Sequence, residues 1–130
     1  MSAVLPAGTL LGRVAELPDG AAREFVLGEF DWPLTGILVR VGGEVHAFLN
    51  RCPHALRQLN IRPDAFLSSD GALLQCSSHG ALFEKDTGEC VAGPCVGESL
   101  RRLPVELREG ELRLTEDLDL ARLDRHPFLP

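Results

Sequence analysis

The sequence predicts an all-β protein, and three observations carry that reading. Short runs rich in Val, Leu and Phe recur along most of the chain. Gly, Pro, Asp and Asn interrupt them at short intervals, which is the punctuation of turns. About ten strands at this spacing argue an antiparallel sandwich or barrel. At 130 residues the chain makes a single domain large enough to bury a core without staples.

The first expected strand runs from Gly12 to Leu17 and ends at the turn Pro18-Asp19-Gly20. Arg23 to Leu27, two charged residues followed by three apolar ones, is the second. Asp31-Trp32-Pro33-Leu34 reads as a connection, with Trp32 packing on the edge of the core. Gly36 to Val41 and Glu44 to Asn50 flank Gly42-Gly43, a pair suited to the positive φ of a tight hairpin turn. Val45, Ala47 and Leu49 then share one face, with His46 and Phe48 on the other. His46 therefore reads as a surface or edge histidine and not as a ligand.

Ala55 to Asp70 has no sustained period and contains Pro63, so a loop is expected. Ala72 to Gln75 and Ala81 to Glu84 form a short hairpin, and Lys85-Asp86-Thr87-Gly88 a turn. Gly88 to Cys95 is punctuated by Gly and Pro and reads as a turn region. Leu103 to Arg108 and Glu111 to Thr115 pair across Glu109-Gly110, each half buried by its alternation. In the tail, Thr115 is expected to cap a short helix whose first turn holds Glu116 and Asp117. Leu118, Ala121 and Leu123 would face inward, and Pro127 would stop it.

The formal net charge of −6 gives no electrostatic support to nucleic-acid or anionic-membrane binding. An acidic surface suits docking on a basic patch of a protein. The N-terminus has neither a basic region nor a sustained apolar one, as a secretory signal requires. No apolar run approaches the roughly 20 residues that span a bilayer. A cytoplasmic protein is expected. In that reducing compartment the 4 cysteines are better read as metal ligands than as disulfides.

Two motifs concentrate the chemistry: Cys52-Pro53-His54 and Cys76-Ser77-Ser78-His79-Gly80. Two thiols and two imidazoles can hold zinc or a [2Fe–2S] cluster. Zinc fingers usually pair like ligands locally, because four donors converge on one small ion. Here each motif supplies one Cys and one His. That suits an elongated centre in which each loop gives a thiolate to one iron and an imidazole to the other. The zinc module stays as the alternative. Cys90 and Cys95 read as two small buried hydrophobes, with a disulfide or an auxiliary redox or metal role as alternatives.

The Cys-Pro-His and Cys-x-x-His-Gly halves resemble the signature of the Rieske iron–sulfur proteins. The resemblance runs from the first strands to about Leu114 and excludes the tail. It implies an all-β Rieske fold: an antiparallel sandwich base with a cluster-binding subdomain inserted from about Asn50 to Gly97; the short C-terminal helix read from the tail lies outside the resemblance. By resemblance, Cys52 and Cys76 bind the inner iron. His54 and His79 bind the outer iron and keep their second ring nitrogens near solvent, where they can titrate with redox state. Gly93-Pro94 resembles a third loop over the far side of the cluster.

The respiratory-complex members carry a further disulfide at the positions of Arg57 and Ser78, Ser where Ala81 stands, and Tyr where Phe83 stands. This chain contains no Tyr. It is similar to the low-potential branch: ferredoxins feeding oxygenases, and the small subunits of nitrite reductases. The resemblance implies a monomeric electron carrier, not an enzyme, whose partners are a reductase, an oxygenase or both. Too little chain follows Cys95 for an oxygenase's mononuclear iron domain, and no G-x-G-x-x-G loop marks a reductase.

Overall fold

The computed structural model describes residues 4–28, 34–53, 58–60, 62, 64–77 and 80–124. Its strands are β1 (Val4–Leu5), β2 (Leu10–Arg13), β3 (Ala22–Gly28), β4 (Leu34–Val41), β5 (Glu44–Leu49) and β6 (Leu74–Gln75). They continue with β7 (Leu82–Phe83), β8 (Cys90–Ala92), β9 (Val105–Arg108), β10 (Glu111–Leu114) and β11 (Leu118–Asp119). A 3-10 turn covers Val14–Glu16, and helix α1 covers Leu120–Asp124.

Among the described residues all pairings are antiparallel, in three three-stranded sheets ordered β3-β4-β5, β2-β10-β9 and β6-β7-β8, with a small β1-β11 pair. The β3-β4-β5 sheet is the shared wall of two cores. Successive side chains on a strand point to opposite faces. Ile37 and Val39 of β4, with Phe48 of β5, enter one core, and Leu34, Leu38, Ala47 and Leu49 enter the other. The first core continues through Phe66, Leu74 and Phe83 around the β6-β7-β8 sheet. The second takes Leu112 and Leu114 of β10 and Leu118, Leu120 and Leu123 of the tail. Burying both faces explains why β4 is nearly continuous in apolar residues. Gly36 interrupts that run because the Phe25 ring lies over it; a β-carbon there would meet the ring at 2.4 Å.

Several elements differ from the sequence-based expectation. The strand expected from Gly12 to Leu17 is β2, which begins at Leu10 and gives way to the 3-10 turn at Val14, and a further short strand, β1, precedes it. Leu34 opens β4 instead of ending a connection, while Trp32 lies outside the described residues. At the β4–β5 turn only Gly42 takes a positive φ, 62°, the pattern of a type II′ turn. The turn region after Gly88 contains β8, a third strand on the β6-β7 hairpin. β9 is mostly exposed, with Leu107 at 39%; of its residues Val105 packs against the second core.

The tail departs furthest. Leu118 and Asp119 pair with Val4 and Leu5, so the chain stays extended where a helix was expected. Asp119 then caps α1, its Oδ1 accepting the Arg122 N–H at 3.3 Å. Leu118 and Leu123 are buried as expected, but Ala121 is exposed. Pro127 lies outside the described residues. No helix among the described residues is long and apolar enough to cross a membrane.

Candidate metal centre

β5 delivers the chain to the first motif through Asn50, which is buried and fully engaged. Its Nδ2 donates to Glu24 Oε2 at 3.1 Å, Thr35 Oγ1 at 3.0 Å and Asn60 Oδ1 at 2.9 Å. Its Oδ1 accepts the Leu59 N–H at 2.9 Å. The Leu59 carbonyl in turn accepts the Ser77 N–H at 2.8 Å. One backbone residue thus ties the approach to Cys52 to the residue after Cys76. Glu24 completes the arrangement, since Thr35 Oγ1 and Asn60 Nδ2 both donate to its carboxylate. Glu24 is not singled out in the sequence. Asn50, placed between an apolar strand and a Cys-Pro-His motif, was the available hint.

The second motif sits in the β6–β7 turn. The Cys76 N–H donates to Ala81 at 2.9 Å, and the Gly80 N–H donates back to Cys76 at 3.0 Å. Gly80 closes this turn at φ +72°, a conformation that favours glycine. Cys52 and Cys76 are each only 1% exposed and belong to the same apolar core. His54, His79, Arg57 and Ser78 lie outside the described residues.

His46 lies on the edge strand β5 but is more covered than expected, with 15% of its side chain exposed. Its Nε2 donates to Glu44 Oε1 at 3.0 Å, while Arg102 donates to its Nδ1 at 3.0 Å. Both ring nitrogens are therefore committed away from the cysteines.

The third loop follows β8. Cys90 N–H donates to the Glu98 carbonyl and Glu98 N–H to the Cys95 carbonyl, both at 2.9 Å. Between them Gly93 packs on Ala81. Cys90 and Cys95 are buried thiols whose sulfurs lie 3.0 Å apart, with no disulfide between them. Burial, and then the adjoining Cys90 sulfur, push the Cys95 thiol up to about 12.

A bare thiolate in such an apolar pocket would be costly, so buried cysteines there stay protonated or give their charge to a metal. Two buried thiols on two hydrogen-bonded loops, each with an imidazole two or three residues onward in sequence, form a donor set suited to a [2Fe–2S] cluster. Fold and donors together define a small iron–sulfur electron-transfer domain. Residues 9–113 match the family model of the Rieske [2Fe-2S] domain, and the chain belongs to that family. It carries a [2Fe–2S] cluster, the centre of a one-electron carrier.

Among curated proteins, the chain is 29% identical over 99 residues to the 3-phenylpropionate/cinnamic acid dioxygenase ferredoxin subunit of Escherichia coli strain K12, covering 76% of this chain and 84% of that one. Among solved structures it is similar to the Sphingomonas yanoikuyae B1 ferredoxin, with a TM-score of 0.64 and 25% identity over 84% of this chain and 98% of that one. A complex of reduced oxygenase and oxidized ferredoxin in carbazole 1,9a-dioxygenase shares the fold, with a TM-score of 0.59 and 24% identity over 88% of this chain and 94% of that one.

Proposed function

We propose that this ferredoxin receives single electrons from a reductase and delivers them to an oxygenase in the cytoplasm, with Cys52 and Cys76 on one iron and His54 and His79 on the other. The observation that carries the reading is the burial of Cys52 and Cys76 in one apolar core, on loops joined through Leu59. When bound, the cluster supplies a one-electron couple whose potential His ligation raises above that of an all-cysteine centre. The residues of the chain set its surroundings. Phe66, Leu74 and Phe83, all fully buried, keep water from the cysteine side. Asn50 and Leu59 hold the two loops in register, so that no large rearrangement need accompany electron transfer. Val91 in β8 and Val96 in the third loop, 43% and 62% exposed, are apolar side chains that a redox partner would cover.

The test is metal and sulfide analysis with stopped-flow mixing. About two irons and two sulfides per chain are expected, and the dithionite-reduced protein should reoxidise on mixing with an oxidised Rieske oxygenase. One zinc without sulfide would reject the cluster ligands. A reduced cluster that gives no electron to any oxygenase of this class would reject the partner.

A further inference from the structure

The Cys90–Cys95 pair has no part in the proposed ligand set, yet its geometry is not that of two small residues filling space. The sulfurs lie 3.0 Å apart, with the Cys95 thiol donating to Cys90 Sγ; ordinary heavy-atom contacts lie at about 3.5–4.0 Å. The Cys90 thiol donates in turn to the Ala92 carbonyl at 3.3 Å. The two backbones are already anchored, because Glu98 bonds both Cys90 and Cys95. A disulfide spans about 2.05 Å, so the sulfurs need close by only about 1 Å.

We infer that Cys90 and Cys95 form a reversible dithiol–disulfide site, a two-electron modification site separate from the one-electron centre, with a peroxide as its oxidant. The sulfur of one cysteine attacks a peroxide oxygen; an S–O bond forms, the O–O bond breaks, and hydroxide leaves to become water with the thiol's proton. The second sulfur then displaces the hydroxyl of the resulting sulfenic acid, forming the S–S bond and a second water. In sum, two thiols and one hydrogen peroxide give one disulfide and two waters. The loop closed is short, and a short loop gains little from cross-linking. Such a bond is open to reduction by a small dithiol, which suits a reversible site rather than a structural staple.

The inference rests on Cys90 and Cys95 not being cluster ligands. The experiment uses the cluster-loaded protein, exposed to graded hydrogen peroxide, unfolded in an alkylating agent and cut after Lys and Arg. Residues 86–101 form one peptide with both cysteines, whereas Cys52 and Cys76 fall in others. At peroxide levels that leave the visible spectrum intact, most of this peptide should become unalkylated and lighter by two hydrogens, and dithiothreitol should restore alkylation. A doubly alkylated 86–101 peptide throughout, or stepwise sulfinic acid without a cross-link, would overturn the inference. The Cys90→Ala, Cys95→Ala protein separates this from the ligand assignment: it should keep its colour and iron. If it loses them, these cysteines serve the cluster, and both readings fail together.

Discussion

Gly93 is in direct contact with Ala81: a β-carbon on Gly93 would lie 2.8 Å from the Ala81 α-carbon, and Gly93 holds φ +99°. The third loop therefore rests on the residue whose carbonyl accepts the Cys76 N–H. Gly93→Ala should suffer twice, from backbone strain and from collision with main chain that cannot move aside. Gly97, at φ +97° with nothing within 4 Å of a β-carbon, is the control for strain alone. In urea titrations Gly97→Ala should lose about 1 kcal/mol, and Gly93→Ala about 2–4 kcal/mol as overpacking is added. Equal losses would show that the contact with Ala81 is not tight.

The ligand assignment predicts a sharp contrast between cysteines. Cys52→Ser and Cys76→Ala should each yield colourless protein without stoichiometric iron or sulfide. His54→Ala and His79→Ala should also lose the Rieske spectrum. A coloured Cys52→Ser protein with full iron would refute the assignment.

The reduction potential should lie low in the Rieske range, near about −150 mV rather than +300 mV. Ala81 and Phe83 are fully buried and offer no hydroxyl where the respiratory members have two. A hydrogen bond to a cluster sulfur favours the more negative reduced state. Phe83→Tyr should thus raise the midpoint if its hydroxyl reaches the cluster. One net hydrogen bond of about 1 kcal/mol corresponds to about 40 mV for a one-electron couple. Protein-film voltammetry is the measurement, and a wild-type midpoint well above zero would reject the low-potential assignment.

Asn50→Ala should cost about 1–3 kcal/mol, because it strands the buried Leu59 N–H and leaves the Glu24 and Asn60 groups without their central partner. The loss should appear as a lower urea midpoint and faster iron release to a chelator. An unchanged release rate would mean that Asn50 does not hold the loops.

These examples also show what local pattern reveals. The β4–β5 hairpin was legible because Gly42-Gly43 separates two runs whose partners are adjacent in sequence. The motifs pointed to Cys52 and Cys76 because Cys-x-His and Cys-x-x-His state a chemistry within a few residues, and the two side chains lie buried in one core. The extended tail was not, since Leu118 and Asp119 pair with Val4 and Leu5 at the other end of the chain. β8 was hidden by Gly93-Pro94, whose turn follows the strand instead of replacing it. Glu24 and Asn50 were missed as a pair because their partnership spans three strands, and alternation along one strand cannot report it.

Acid should weaken the β2–β10 seam. Glu111 accepts from Arg113 at 2.8 Å and from Arg13 at 3.4 Å. The Arg113 hydrogen bond, with Arg13 assisting, holds the carboxyl below its ordinary value. A carboxylate whose folded pKa is depressed stabilises above its unfolded pKa and loses that contribution as pH falls through the folded one. Glu111→Gln should therefore be slightly less stable than the wild type at neutral pH, the loss being small given its exposure, and should converge with it in acid, so that its acid limb is flatter. Identical acid limbs for the two proteins would exclude this contribution.

Because β4 is covered on both sides, neither core can melt and leave the other dry. Removing the cysteine side would bare Ile37 and Val39, and removing the tail side would bare Leu34 and Leu38. The polypeptide consequently comes apart as one unit rather than as a detachable lobe on a stable base. Whatever binds among the cysteines lends its binding free energy to the docking of α1 on the far side of the wall. Conversely, damage to Leu120 or Leu123, remote from any ligand, shortens the lifetime of the loaded state.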